Sequence, residues 1–398
     1  LNRRFSPFAV LGVFFLLGIS SFGGPVAHLG YFRRTFVDKR KWLSEADFAS
    51  LVSLCQFLPG PASSQAGFCI GMLRAGWPGA LAAWLGFTAP SAALMLAAAI
   101  WLGTFDQFVI ARTILHGMQL AAIAVVGQAV LQMARNLCPD TPRRMLAVLA
   151  AAILILVPDT PGQIMVLLIG AFIGWFLPQE DNVIRAPLAM TSPSYGTAIF
   201  CLVLFAALLG LSVCVWTQPG LALASLFYRT GALVFGGGHV VLPLLQSGFV
   251  VPGYVAPGLF LAGYGAAQAL PGPLFTFAAF LGAVANIGPG GLHGGLIAMV
   301  AIFLPGLLLV SGVLPYWNAI RQNRPLTGCI NGVNAVVVGL LAYALLNLIT
   351  LGGIGNLKDI VIAGIALLVL VLTRIPPFCA VIFCVAAAII AQNGIGWR

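Results

Sequence analysis

Backbone amides and a few scattered polar side chains are the groups here that could do chemistry. Glycine and proline gather in four short motifs. They are Phe22-Gly23-Gly24-Pro25, Gln56-Phe57-Leu58-Pro59-Gly60-Pro61, Phe235-Gly236-Gly237-Gly238 and Gln268-Ala269-Leu270-Pro271-Gly272-Pro273, and each interrupts an apolar run. Proline forces a break and suits the first turn of the next helix, while glycine lets backbone approach a ligand closely. A helix restarting after such a break gathers about half a unit of positive charge at its N-terminus, beside unused N–H groups. That is chemistry for holding an anion.

Side chains near the breaks extend the candidate set. Arg229 sits in an apolar run two turns before Gly236, on the same helix face; its bland role is snorkelling to an interface. Arg74 follows the first Pro-Gly-Pro and reads equally as an anchor at the cytoplasmic end. Gln56 and Gln268 precede matching breaks, and Asn331 and Asn334 share a helix face. All four could donate to an anion or cap carbonyls freed by proline. For a proton, His28, His116 and His239 are chemically able, although a lone membrane histidine more often joins two helices. The nine carboxylates (Asp38, Glu45, Asp47, Asp106, Asp140, Asp159, Glu180, Asp181, Asp359) all fall in loops or at span edges, so no mid-span carboxylate relay is expected.

The elements that must position these groups are membrane helices. Of 398 residues 61% are apolar and only 7% charged, with mean hydropathy +1.05, far too little polar surface for soluble domains. The runs do not alternate as barrel strands would. Apolar stretches near 6–22, 48–72, 77–103, 108–134, 145–157, 163–177, 198–217, 219–235, 257–283, 292–315, 328–349, 359–373 and 376–391 predict a polytopic all-α protein. Several are shorter than the roughly 20 residues of a straight crossing. The pairs at 145–157 with 163–177 and 359–373 with 376–391 predict tight helical hairpins. Arg3, Arg4 and the run to Phe22 resemble a secretory leader, but no A-x-A-like site follows, so a retained first membrane segment is expected.

The chain repeats itself. The first motif returns at an offset of 213, the second at 212, Pro90 as Pro305, and Ala124-Val125-Val126-Gly127 as Val336-Val337-Val338-Gly339. Two homologous repeats follow, 1–178 and 218–398, joined by residues 179–217 with an extra helix at 198–217. One added crossing would invert the second repeat relative to the first. The charges agree: Arg33, Arg34, Lys39, Arg40 and Lys41 follow the first break, whereas 246–256 holds no charge. Treating 6–32, 48–72, 219–245 and 257–283 as broken or re-entrant segments places most basic residues inside. Arg112, Arg229, Lys358 and Arg398 fall elsewhere. The net charge of +10 is thus topological and does not imply a nucleic-acid partner.

Other classes fare poorly. The eight cysteines form no CxxC and no Cys/His cluster, so no metal and no cofactor is expected. No Gly-Lys dipeptide exists for a Walker A loop, and G-x-S-x-G and H-E-x-x-H are absent, which argues against a pump or an enzyme. Interrupted segments at matching positions of two repeats point instead to a transporter's central site, or to a channel. Small residues in 77–103, such as Ala80, Ala83 and Ala99, could pack within the chain or across a homodimer.

Phe22-Gly-Gly-Pro25, the basic stretch ending Lys41-Trp42-Leu43, Gln56-x-Leu58-Pro-Gly-Pro61 and Asn331-Gly-Val-Asn334-Ala-Val-Val-Val-Gly339 together resemble the signature of the chromate transporter (CHR) family. The Phe235 and Leu270 copies resemble its long-chain, two-domain members. The resemblance implies a bacterial inner-membrane protein that exports chromate, driven by the proton gradient, and confers chromate resistance. Gly238 for Pro25 and the missing second basic loop depart from the first copy, so the halves are expected to contribute unequally. Sulfate, another tetrahedral dianion, is the alternative cargo.

Overall fold

The computed structural model describes residues 6–105, 109–158, 160–177, 193–214, 216–350, 354–373 and 375–393. Arg3, Arg4, Asp106, Asp159, Glu180, Asp181, Arg185, Arg374 and Arg398 lie outside the described residues. Among those described, every regular element is helical. Five helices are long and apolar enough to cross a membrane, within Ala62–Trp101, Arg112–Leu137, Tyr195–Val213, Gly291–Ile320 and Arg324–Leu348.

The element order runs twice. The first pass is α1 (Pro7–Ser20), α2 (Gly24–Phe32), α3 (Glu45–Phe57), α4 (Ala62–Phe105), α5 (Val109–Leu137), α6 (Thr141–Leu156) and α7 (Thr160–Phe176). A lone helix, α8 (Tyr195–Val213), follows and packs on the outside of the second pass, against the helices introduced next as α9 and α13. That pass is α9 (Pro219–Leu233), α10 (Val241–Leu245), α11 (Pro257–Ala269), α12 (Phe277–Val284), α13 (Gly291–Val313) with its short continuation α14 (Trp317–Ile320), α15 (Arg324–Leu348), α16 (Leu357–Leu372) and α17 (Pro377–Asn393). Even irregularities recur. A π-helical stretch, Arg33–Lys39, extends α2, and another, Gln246–Val250, extends α10. Lys41 and Gly253, both with positive φ, follow close behind them.

All four segments expected to break do so, at 21–23, 58–61, 234–237 and 270–273. α4 is itself two limbs, because Ala75 and Gly76 leave helical dihedrals. The limbs fold back until Gly71 and Gly79 touch backbone to backbone, and Gly282 and Gly294 make the same contact between α12 and α13. Glycine is required there, since any Cβ would enter the facing carbonyl. The 145–157/163–177 and 359–373/376–391 pairs are antiparallel-paired short helices, α6 with α7 and α16 with α17.

The halves exchange these hairpins. α6 and α7 pack on α15 of the second half, while α16 and α17 pack on α5 of the first. The equivalent helices α5 and α15 run antiparallel: Gly127 lies beside Leu345, while Met133 and Val337 meet around Gly236. Small residues of the 77–103 run are used within the chain, where Gly86 lies against the Leu11 carbonyl of α1 and Ala80, Ala83 and Ala99 are buried.

Candidate functional site

The breaks brace each other across the halves. Gly60 N–H donates to the Val234 carbonyl at 2.7 Å, and Gly272 N–H donates to the Ser21 carbonyl at 2.9 Å. Ser21 and Val234 end α1 and α9, so each half's second break satisfies a carbonyl left open by the other half's first break. Unwound backbone in lipid needs such internal partners. Gly60 and Gly272 reach this geometry at φ of 120° and 97°, closed to most L side chains. In the first half Gln65 adds a second brace, donating Nε2–H to the carbonyls of Pro59 and Gly306 at 2.9 and 3.0 Å.

The first breaks face one another. A Cβ built on Gly238 would stand 2.9 Å from Pro25 Cγ, and one on Gly24 would stand 4.0 Å from His239 Nε2. Beside this junction lies a cavity of about 1440 Å³, walled by both halves. Gly23, Pro25, Gln56, Gly60, Gly236, Gly237, Gly238, His239, Asn331 and Asn334 all line it. α2 starts here, its N-cap Gly23 left-handed and without a side-chain cap, so its N-terminal dipole meets the cavity. His239 shares a 3.0 Å hydrogen bond between Nδ1 and the buried Tyr264 hydroxyl.

Other expected residues sit elsewhere. Pro59, Pro61, Gln268, Pro271, Gly272 and Pro273 are not among the lining residues, and Gly24 lies just behind them. A Cβ on Gly272 would meet Ser91 Oγ at 2.6 Å, which shows how tightly the second Pro-Gly-Pro is packed against α4. Arg74 is fixed under the basic loop, donating Nη2–H to the Trp42 carbonyl at 2.8 Å with its guanidinium 5.3 Å from the indole. Arg229 is half-buried on α9 and does not line the cavity; its equivalent in the first half is the exposed Leu16. His28 is wholly buried behind the cavity, Nδ1 3.4 Å from Ser63 Oγ. His116 pairs with Asp359 at 2.8 Å, and neither lines the cavity.

The cavity also gathers groups the sequence reading passed over. Arg135, Arg143 and Arg321 line it, and among the described residues no carboxylate does. Arg143 is held by Asp140, the N-cap of α6, through a side-chain ion pair. Gln128, Gln132 and Asn136 also line the wall. Their spacing of four within an apolar span is a one-face polar stripe, the signal that could have found them. In sequence the arginines read only as markers of topology.

A family model described as chromate transporter matches residues 8–175 and again 221–391. The chain is 28% identical to the chromate transport protein of Pseudomonas aeruginosa, across 84% of this chain and 79% of that protein. It is 26% identical to a probable chromate transport protein of Synechococcus elongatus, across 83% and 81%. It is 25% identical to the chromate transport protein of Cupriavidus metallidurans, across 84% and 80%. No solved structure matches the chain.

Proposed function

This multi-pass membrane protein belongs to the chromate transporter family, a family of transporters and not of enzymes, and from that premise we propose how it works. It exports chromate across the bacterial inner membrane as a secondary transporter coupled to the proton gradient. The anion binds in the cavity between two inverted repeats, 1–178 and 218–398.

The observation that carries this reading is the cavity's charge: among the described residues it is lined by three arginines and no carboxylate, and it meets the start of α2, which has no side-chain cap. A tetrahedral dianion accepts from several directions at once. Guanidinium groups, the amides of Gln56, Asn331 and Asn334, and backbone N–H groups can donate together. Antiparallel α5 and α15 support inversion, because equivalent helices of inverted repeats must cross in opposite senses. Arg135, Arg143 and Arg321 line the cavity, Arg144 and Arg324 stand close to them in sequence, and that basic excess supports a cytoplasmic position for this side of the cavity. The cavity then loads from inside. Among the described residues His239 is the one histidine in its wall, so it is where a proton meets the anion site.

Reconstitution in liposomes tests the reading, with chromate and sulfate offered separately under an imposed pH gradient. Saturable chromate flux that follows the gradient is expected, and His239→Gln should weaken that dependence while chromate still competes for the site. If chromate neither moves nor competes, the cargo is another oxyanion. Current driven by voltage alone would instead make the protein a channel.

A further inference from the structure

The open cavity has a closed twin. The repeat carries α3 onto α11 and α15 onto α5, so the wall pair α3 and α15, held apart by the cavity, corresponds to α11 and α5. The second pair is packed shut. Gly265 of α11 lies against the Met118 carbonyl of α5 so closely that no side chain fits. Gln119 donates Nε2–H to the Gly258 carbonyl at 3.0 Å. α17 closes on the same seam, touching both α5 and α11, whereas its counterpart α7 packs on α15 and makes no comparable contact with α3 among the described residues.

The chemistry of the twin is reversed. Asp140 and Asn356 are equivalent N-caps, each accepting from the backbone N–H three residues on, which is Arg143 in α6 and Asp359 in α16. Where the open cavity has an arginine, the closed seam therefore has a carboxylate. Asp359 is 4% exposed and is held by the Gly355 N–H at 2.9 Å and by His116 Nε2 at 2.8 Å.

We propose that the seam between α5 and α11 is the second gate, and that on parting it becomes a release vestibule lined by His116, Gln119, Gln268 and Asp359. This rests on the inverted-repeat reading of the central site. Two repeats in inverted topology exchange roles as a transporter alternates, so the contacts that shut one seam are those the other must gain. An anion reaching this vestibule meets a carboxylate in place of the arginine that bound it, so affinity falls on the release side. Breaking the His116–Asp359 and Gln119–Gly258 contacts opens the gate.

Thiol labelling tests it. In a background with Cys55, Cys214, Cys329 and Cys379 replaced by serine, Gln119→Cys is treated from outside with a membrane-impermeant thiol reagent. Labelling is slow at rest and rises when internal chromate is being carried. Adding His116→Gln, which removes a charge-assisted contact, raises resting labelling about tenfold. Gly258→Cys reports the same seam from the other wall should the first variant fold poorly. If both thiols label at one slow rate in vesicles that carry chromate, with or without His116→Gln, there is no gate here. Vesicles that carry no chromate but whose Gln119→Cys labelling rises with internal sulfate would overturn the cargo and uphold the gate.

Discussion

Where the first half restarts its broken helix with Pro25, the second half has Gly238, and the two residues are in contact. Two prolines cannot occupy that junction, because even a Cβ at 238 would come within 2.9 Å of the Pro25 ring. The repeat is thus obliged to be unequal at its centre. The same inequality runs outward: a basic loop against an uncharged one, Arg143 against Asp359, an open wall against a shut one. The breaks match between the two passes, and on the proposed reading function sits in the mismatches.

Restoring the symmetry should therefore do the most damage. Gly238→Pro is expected to abolish chromate flux, because overpacking at a junction of two backbones costs about 1–3 kcal/mol and separates the braces beside it. The combined Pro25→Gly and Gly238→Pro exchange moves the bulk to the other half and should recover protein abundance, read by fluorescence-detected size exclusion. Recovery of abundance without flux would show that the proline must belong to the half with the arginines. No recovery at all would mean that the contact at 2.9 Å is not what excludes proline from position 238.

The arginines give the next contrast. Arg135 lines the cavity and Arg229, the arginine conspicuous in sequence, does not. Arg135→Gln should raise the KM for chromate about tenfold, the worth of a charge-assisted hydrogen bond, with little change in abundance. Arg229→Gln should leave KM unchanged. The reverse pattern in a vesicle flux assay would move the anion site into the second half.

These two arginines show what was legible beforehand. The fold class and all four breaks could be read because glycine and proline act locally, through dihedrals that the next few residues cannot override. Which residues the cavity collects could not. Arg135 and Arg321 end apolar spans and look like topology marks until the exchange of hairpins brings α5, α6 and α15 together. Likewise Gln56 and Gln268 occupy equivalent sequence positions, yet one faces a cavity and the other a packed seam. On the proposed alternating mechanism, one conformer separates two glutamines that the sequence places alike.

The smallest contrast lies behind the cavity. Ser21, His28, Ser63, Ser64, Thr88 and Ser91 form a buried polar cluster in the first half, and their equivalents are Val234, Val241, Phe275, Thr276, Phe303 and Gly306. Thr88 is 3% exposed, and among the described residues its hydroxyl has no hydrogen-bond partner. Burying an unpaired hydroxyl costs about 1–3 kcal/mol, so the cluster is a weakness unless transport uses it. Thr88→Val keeps the shape and removes the polar atom. If the hydroxyl is only filler, the apparent melting temperature in detergent rises by about 2 °C and flux is untouched. If flux falls while the melting temperature holds or rises, the hydroxyl acts in a state other than the one with the cavity open. The first half would then carry, behind the anion site, a polar component of which its twin keeps only Thr276.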